Sequence, residues 1–284
     1  MIAQARKQTM VFTWFKQHPV LSYLILAIAI SWSVELPLAA AAQGWLNLQI
    51  PVAIHYLAAF GPMLAGIIMT WVTGGSDGLK ELWGRATKWR AGLTGAAFAI
   101  LSPIVLFALA SIAIRLMGGE WPDLRLLGEV NYLPFLGVWV LPLWLATYGF
   151  GEEIGWRGFA LPRLQKGRSA LSASVILGLM WSAWHVPAFL YLDTYVNAGG
   201  LAVFPGVAFG IVMGAIVLTW LYNTTRGSVL MVAIWHALFD LFTAAKAIDA
   251  YNSALQSAVI MVAAVVIVIV FKPANLSRVE KHTL

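Results

Sequence analysis

Eight stretches of roughly 20 apolar residues constrain the fold of this chain more than any other feature. A stretch of that length crosses the hydrocarbon core of a bilayer, about 30 Å thick, as one α-helix. Lipid offers the backbone no hydrogen-bond partner, and the alternation of barrel strands is absent, so every span should be helical. The sequence predicts an all-α polytopic membrane protein with eight transmembrane helices, at 19–42, 50–73, 91–116, 132–150, 170–190, 203–223, 228–246 and 251–271.

Composition excludes several classes of protein. Hydrophobic residues make up 61% of the 284 residues and charged residues 11%, whereas soluble domains are about 45–50% apolar and about 25% charged. This balance argues against a cytosolic enzyme, a disordered segment or a nucleic-acid-binding module, despite the net charge of +6. The lack of cysteine removes disulfides, thiolate metal sites and cysteine nucleophiles. With no linker or low-complexity tract, residues 1–284 should form a single intramembrane domain.

The positions of the basic residues predict the orientation in the membrane. Cytoplasmic loops are enriched in Lys and Arg, and fifteen of the 18 such residues fall in one set of alternate loops. These are Arg6, Lys7, Lys16, Lys80, Arg85, Lys88, Arg90, Arg157, Arg163, Lys166, Arg168, Arg226, Lys272, Arg278 and Lys281. Only Arg115, Arg125 and Lys246 fall in the other set. Both termini are therefore predicted to be cytoplasmic, with the basic loops contacting anionic membrane lipid.

Two details of the first half qualify this topology. The stretch 19–42 is longer than the apolar core of a signal peptide, about 7–15 residues, and it contains Glu35, so we expect it to be retained. The loop 76–90 has Ser76 as a possible N-cap and apolar residues at helical spacing, which predicts a short interfacial helix.

Glu35 and His55 are isolated polar residues in apolar stretches, and we interpret both as groups that hydrogen-bond between helices.

Polar side chains at membrane depth are the main indication of function. A charged group at mid-bilayer costs roughly 2.5–3.5 kcal/mol on insertion scales, so such residues usually face a protein or water-filled interior. Three clusters occur here. They are Glu152, Glu153 and Arg157 between glycines at the end of the fourth stretch, Trp181 and His185 before Pro187, and His236 with Asp240.

Spacing indicates which of these groups can cooperate. Glu153 and Arg157 are four residues apart, so on a helix they can form a salt bridge. Glu152 then points about 100° away and is free for another role. The alternative is that both glutamates simply pair with Arg157 and nearby backbone.

The two histidines also allow a structural interpretation. His185 could be a neutral side chain hydrogen-bonded between helices, and Pro187 should kink the helix near it. His236 and Asp240 share a helix face and could be a structural pair. Taken together, however, three acids and two histidines on three helices predict a polar cavity suited to activating water.

The three clusters resemble the motifs of the CAAX protease and bacteriocin-processing (CPBP) family of intramembrane glutamate endopeptidases. The family carries E-E-x-x-x-R, then F-x-x-x-H, then H-x-x-x-N or a close variant, on separate membrane helices. This chain has Glu152-Glu153…Arg157, Trp181…His185 and His236…Asp240 in that order. The flanking residues Arg157-Gly158-Phe159 and Arg226-Gly227-Ser228 also agree, and the resemblance covers about 150–245.

The resemblance implies a role for each residue. Glu152 and His185 would activate a water molecule, and His236 with the residue at 240 would stabilise the oxyanion. Glu153 and Arg157 would hold the site together. Two positions depart from the family pattern. Trp181 replaces Phe, which we expect to reshape a pocket wall, and Asp240 replaces Asn. Because an ionised carboxylate would repel an oxyanion, Asp240 would either be protonated or act by orienting His236, and we favour orientation.

The function implied by the resemblance is hydrolysis of a peptide bond in a membrane-associated substrate, prenylated proteins included. No cofactor or catalytic metal is implied, and a zinc-dependent version with His185 and His236 as ligands is the less favoured variant. The implied location is the cell membrane, with a site accessible from the cytoplasm. The alternatives are a non-proteolytic immunity or partner-binding protein on the same scaffold and a proton-coupled transporter, which should show inverted repeats.

One further pattern concerns access to the site from the membrane. Gly206, Gly210 and Gly214 are spaced four residues apart and so lie on one helix face. Such a stripe lets helices approach closely, and we expect close packing here. The alternative is that the stripe lines a lateral gap through which a membrane-borne substrate enters.

Overall fold

The computed structural model describes residues 13–133 and 136–284. No β-strand forms in these residues, which confirms the predicted all-α class. The helices, numbered along the chain, are α1 (Pro19–Ala42), α2 (Phe60–Ala86), α3 (Leu93–Leu116), α4 (Val140–Trp144), α5 (Leu161–Gln165), α6 (Ala170–Trp184), α7 (Asp193–Val196), α8 (Phe204–Thr224), α9 (Val229–Ala244) and α10 (Ala250–Asn275). Two π-helical segments, π1 (Leu145–Glu152) and π2 (Ile154–Ala160), connect α4 to α5.

Five helical segments of the described chain are long and apolar enough to cross a membrane. They are Pro19–Ala42, Val52–Ala86, Leu93–Leu116, Gly200–Thr224 and Ala250–Asn275. Two shorter apolar helices, Ala170–Trp184 and Val229–Ala244, accompany them. The protein is thus an integral, multi-pass membrane protein, although these helices do not reproduce the predicted count of eight spans.

The predicted interfacial helix at 76–90 exists but is continuous with the preceding span. α2 runs from Phe60 to Ala86, with one break at Gly75, where φ is 58°. Only glycine adopts this conformation without strain, so the chain changes direction there without an intervening loop. The residues before α2 form a 3₁₀ helix, Val52–Leu57, where the sequence predicted part of a span beginning at 50.

The fourth predicted span, 132–150, required the largest correction. Helical structure begins near Gly137 and continues through π1, π2 and α5 to Gln165, well past the predicted end at 150. The residues 151–162 are all buried. Arg157, assigned from the sequence to a basic cytoplasmic loop, is fully buried and paired. Hydropathy falls at Glu152 because charged residues begin there, yet the helix continues because those charges bind one another. Residues 134 and 135 of this span lie outside the described residues.

The basic loops meet at one end of the molecule, as the charge pattern predicts. The Lys88 ammonium donates to the Arg226 carbonyl oxygen at 2.8 Å, and Gln165 Nε2 donates to the His282 carbonyl oxygen at 2.7 Å. We call this the basic end; it comprises residues 85–90, 161–169, 222–228 and 272–284. Arg6 and Lys7 lie outside the described residues. That this end faces the cytoplasm stays a prediction.

The remaining connections meet at the other end, which we call the opposite end. It comprises residues 117–133, 185–203 and 245–249. The Lys246 amide donates to the Glu129 carbonyl oxygen at 2.8 Å, and Asn131 Nδ2 donates to Asp193 Oδ2 at 3.3 Å. The two ends fix the direction of each helix and hence the depth of the residues it carries.

Candidate active site

The seven predicted site residues come together in the structure. Glu152 ends π1, Glu153 joins π1 to π2, and Arg157 lies in π2. Trp181 and His185 lie at the end of α6, and His236 and Asp240 lie on α9. The predicted catalytic residues line one cavity of about 160 Å³; these are Glu152, His185, His236 and Asp240. π-Helical turns are rare and often occur at functional sites.

Two glycines place the acidic motif against α2. Gly151 and Gly155 bracket the glutamates, and a Cβ on Gly151 would lie 2.7 Å from the Ala59 carbonyl oxygen. A Cβ on Gly155 would overlap the Pro62 carbonyl oxygen. These contacts leave no room for a side chain, so the start of α2 rests directly on the backbone that carries Glu152 and Glu153.

Glu152 is held by Trp181 and not by Arg157. The indole Nε1 of Trp181 donates to Glu152 Oε2 at 2.7 Å, and Glu152 is 3% exposed. The prediction that Glu152 stays free of Arg157 is confirmed. The hydrogen bond from Trp181 was not predicted, because the aromatic side chain was interpreted only as a pocket wall.

Glu153 is the centre of a buried polar network. Arg157 Nη1 donates to Glu153 Oε1 at 2.8 Å and to Oε2 at 2.9 Å, and both side chains are completely buried. The predicted pairing of these two residues is confirmed. The Arg157 guanidinium also lies 4.7 Å from the centre of the Trp181 ring, in a cation–π arrangement.

His236 contacts carboxylates through both ring nitrogens. Its Nδ1 lies 2.8 Å from Glu153 Oε1, and since a carboxylate only accepts, Nδ1 carries the proton. Its Nε2 lies 3.6 Å from Asp240 Oδ2, too far for a hydrogen bond. Glu153 therefore fixes the orientation of the imidazole, and Asp240 adds a nearby negative charge. The sequence suggested Asp240 as the orienting partner and gave no sign of the bond to Glu153.

His185 occupies the end of α6. The predicted span 170–190 is α-helical only to Trp184; His185 is the C-cap, and Pro187 lies in the following 3₁₀ helix, Val186–Leu190. His185 Nδ1 donates to the Trp181 carbonyl oxygen at 2.9 Å. In the neutral ring this leaves Nε2 unprotonated and able to accept a proton.

The cavity also contains polar residues that the sequence interpretation left outside the site. Glu35 and His55 line it together with Glu152. Each makes the hydrogen bond between segments that the sequence predicted: Tyr191 donates to Glu35 Oε1 at 3.1 Å, and Tyr148 donates to His55 Nε2 at 2.8 Å. The sequence signal that could have indicated Glu35 and His55 as site residues is the rarity of polar residues in the first two predicted spans.

Tyrosines complete the polar lining. Tyr132, Tyr148, Tyr191 and Tyr195 all face the cavity. Burial raises the pKa of the Tyr195 hydroxyl, and burial together with the charge of Glu35 raises the pKa of the Tyr191 hydroxyl. Both hydroxyls therefore remain protonated at neutral pH and act as hydrogen-bond donors.

The cavity is bordered by loops of the opposite end. Tyr132, Tyr191, Leu192 and Tyr195 come from these connections, whereas none of the described residues that line the cavity belongs to the basic end. The cavity therefore lies nearer the opposite end than the basic end.

The glycine stripe lines a lateral cleft and does not pack closely. A Cβ on Gly206 or Gly214 would meet no atom within 4 Å, and one on Gly210 would contact only Met261, at 3.4 Å. The stripe borders a cleft of about 450 Å³ that is also lined by His236 and Asp240. The expected close packing is therefore wrong, and the alternative, a gap beside the site, is what the structure contains.

Two comparisons with known proteins agree with the motif resemblance. A family model described as "Type II CAAX prenyl endopeptidase Rce1-like" matches residues 134–242. A protein of Methanococcus maripaludis named "CAAX prenyl protease 2" is 29% identical over 174 residues. Both matches are to type II CAAX prenyl peptidases and so agree with the resemblance to the CPBP family. The aligned region is 60% of this chain and 63% of that relative, so the chain spans less than two thirds of the relative's length.

The match to the family model includes all three polar clusters. It begins before π1 and ends just after Asp240, close to the 150–245 region on which the resemblance was based. Within the described residues, no group of three or more His, Asp or Glu side chains is arranged to hold a metal ion. The positions at which this chain differs from the CPBP motifs, Trp181 and Asp240, both contact other site residues directly.

Proposed function

We propose that this protein is an intramembrane endopeptidase that hydrolyses a peptide bond with a water molecule activated by Glu152 and His185. The observation that carries the proposal is the single cavity shared by these two residues, His236 and Asp240. A carboxylate and an unprotonated imidazole nitrogen facing one cavity form a general-base pair. The match of residues 134–242, which include all four, to a prenyl-endopeptidase family model supports peptidase chemistry.

The proposed reaction follows from the hydrogen bonds of the site. Trp181 holds Glu152, and the Trp181 carbonyl oxygen fixes Nδ1–H of His185. A water molecule between the two groups loses a proton to them as its oxygen attacks the carbonyl carbon. The proton then passes to the leaving nitrogen, which completes hydrolysis of the C–N bond.

We assign stabilisation of the oxyanion to His236. With Glu153 accepting from Nδ1, the ring can donate from Nε2 only as an imidazolium. The carboxylates of Glu153 and Asp240 flank the ring and stabilise that positive charge. An oxyanion donor of this kind contributes about 2.7–4 kcal/mol to lowering the barrier. Asp240 thus serves the reaction through His236, without contacting the oxyanion.

The lateral cleft supports a substrate that is anchored in the membrane. The cleft is bordered by α8, α9 and α10 and is lined by His236 and Asp240, as the cavity is. An apolar chain in the cleft would place an attached peptide in the cavity. The name of the Methanococcus maripaludis relative refers to prenyl groups, and we propose a lipidated peptide or protein as the substrate of this chain also.

We propose that the peptide reaches the site from the sparsely charged side of the membrane. The cavity is bordered by loops of the opposite end, and the basic end is predicted to be cytoplasmic. This arrangement conflicts with the cytoplasmic access implied by the family resemblance. The cell membrane remains the proposed location.

The decisive experiment measures cleavage of a reporter peptide by purified protein. Glu152→Gln and His185→Ala should each lower the rate at least 100-fold, the lower range for loss of a general base. Thermal melting should show that both variants are folded. Glu120→Gln, the same change at an exposed loop position, is the control and should keep full activity. Cleavage by folded Glu152→Gln at the wild-type rate would refute the proposal.

A further inference from the structure

Glu35 is a buried carboxylate that the proposed reaction does not use. It lies in α1, is 4% exposed and lines the same cavity as Glu152. Tyr191 donates to its Oε1, but its Oε2 has no hydrogen-bond partner among the described residues. A buried polar atom without a partner is destabilising, and more so when it is charged. Oε2 of Glu35 is such an atom at the wall of the cavity.

The position of Glu35 relative to the reaction site is fixed by hydrogen bonds. One helical turn earlier on the same face of α1, Trp32 Nε1 donates to the Trp184 carbonyl oxygen at 3.0 Å, next to His185. Farther along α1, Gln43 Nε2 donates to the Leu190 carbonyl oxygen at 2.8 Å. With the Tyr191 bond, these contacts hold α1 against the segment that follows α6. Glu35 is therefore a fixed wall of the cavity.

The lining of the cavity is acidic. Glu35, Glu152 and Asp240 face it, and no Lys or Arg occurs among the described residues that do so. A volume of about 160 Å³ is similar to an engineered cavity of about 150 Å³ that holds one benzene molecule. The space thus fits one side chain of a substrate and not a folded segment. Three carboxyl groups face it against one imidazole, that of His236, for which we propose a positive charge, so the lining favours a cation.

We propose that Glu35 determines specificity by binding a basic side chain of the substrate next to the scissile bond. The ammonium of Lys or the guanidinium of Arg donates to Glu35 Oε2, while Tyr191 continues to hold Oε1. This inference rests on the proposed peptidase function. It assigns to Glu35 a contact with substrate, beyond its hydrogen bond between segments.

The test compares matched peptides. In one series, Lys occupies in turn each of the two positions that flank the scissile bond. In the second series, norleucine, the neutral analogue, occupies the same positions. For one position, wild-type kcat/KM should be at least tenfold higher with Lys than with norleucine. In Glu35→Gln this ratio should fall to about one, while cleavage of the norleucine peptide is retained.

Two further variants separate recognition from a structural effect. Tyr191→Phe leaves the carboxylate in place and should reduce the Lys preference only in part. Glu120→Gln removes an exposed carboxylate outside the cavity and should leave the ratio unchanged. If Glu35→Gln does not fold, Glu35→Asp replaces it and should show a reduced Lys preference, because the charge is retained but withdrawn from the cavity.

A binding measurement separates failure of this inference from failure of the proposed function. Fluorescent Lys and norleucine peptides are titrated into Glu152→Gln and into the double variant Glu35→Gln/Glu152→Gln. Tighter binding of the Lys peptide that disappears in the double variant supports the inference even when no peptide is cleaved. Equal binding or equal cleavage of both peptides by protein with intact Glu35 overturns the inference. An equal loss of kcat/KM for both peptides in Glu35→Gln also overturns it.

Discussion

Trp181 Nε1 donates a 2.7 Å hydrogen bond to Oε2 of Glu152. The same indole lies edge-on to the His236 ring, with ring centres 5.3 Å apart, and 5.8 Å from the His185 ring. One aromatic side chain thus contacts the proposed base and both imidazoles. A phenylalanine, the usual family residue, could fill this space but could not donate the hydrogen bond.

Trp181→Phe should therefore lower activity without unfolding the protein. A hydrogen bond to a charged group contributes about 1.5–3 kcal/mol, so we expect kcat/KM for a reporter peptide to fall about tenfold to hundredfold. Trp220→Phe is the control, because the Trp220 indole N–H is buried without a partner among the described residues and lies outside both cavities. Equal activity of the two variants would show that the Trp181 bond is not used.

Breaking the Glu153–Arg157 pair should destabilise the fold. Removing one partner of a buried pair costs about 3–5 kcal/mol, whereas removing both is often close to neutral. Arg157→Met should lower the melting temperature by roughly 6–20 °C, and Glu153→Gln/Arg157→Met should recover much of this loss. The exposed pair of Lys80 and Asp77 is the control, and Asp77→Asn should change stability by less than about 1 kcal/mol. A double variant less stable than Arg157→Met would contradict the argument.

Proteolysis should survive replacement of the Asp240 carboxylate by an amide but not removal of the polar side chain. Asp240→Asn keeps a polar oxygen near His236 Nε2, and Glu153 still supplies a negative charge to the ring, so this variant should retain proteolysis. Asp240→Ala removes it and should lower kcat/KM about 10–100-fold, the range for residues that support a functional imidazole. Both variants are measured on the same peptide, after their melting temperatures have been compared with that of the wild type to show that they are folded. An inactive Asn variant beside an active Ala variant would refute this role.

The side from which the cavity is reached can be determined by labelling. The chain has no cysteine, so single cysteines can be placed at Thr194, which lines the cavity, and at the exposed Lys166 of the basic end. In intact cells, a membrane-impermeant maleimide should label Thr194→Cys, and should label Lys166→Cys only after permeabilisation. The reverse pattern would place the cavity on the cytoplasmic side.

The C-terminal tail should loosen at low pH. His282 packs against Tyr222 at the basic end, and burial, followed by the charge of Arg85, lowers its pKa, with Lys88 adding to this and Glu81 opposing it. Because the docked tail disfavours protonated His282, docking is fully stable above the ordinary histidine pKa of about 6.5 and weakens as pH falls below it.

Hydrogen exchange of residues 276–284 measures this effect. After correction for intrinsic rates, exchange should be faster at pH 5.5 than at pH 7.5 in the wild type and nearly independent of pH in His282→Gln. Equal protection of the wild-type tail at the two pH values would show that His282 does not control docking.

The sequence predicted the parts of the site that depend on spacing along one helix. The Glu153–Arg157 pair and the separate direction of Glu152 follow from helical geometry. The bonds from Trp181 to Glu152 and from His236 to Glu153 join different helices, and they depend on packing that spacing along one helix does not specify. For the same reason, Glu35 and His55 could be recognised as polar but not placed in the cavity.

The bounds and packing of the helices could likewise be predicted only in part from the sequence. α1 has the predicted bounds because Glu35 is the only charged residue in a long apolar stretch, whereas the end of the fourth span was wrong because hydropathy falls where buried charges begin. The glycine stripe on α8 was also misjudged, since spacing alone does not tell whether a neighbouring helix fills the groove.

The shortness of α6 affects how deeply hydrolysis takes place in the bilayer. Its 15 residues rise about 22 Å, which is less than the hydrocarbon thickness of about 30 Å. His185 follows its last turn, so, if α6 starts at the basic boundary of the hydrocarbon core, the imidazole lies several ångströms below the other boundary. Such a mismatch is commonly relieved by local thinning of the lipid, which would bring bulk water close to the imidazole and shorten the route by which cleaved products leave.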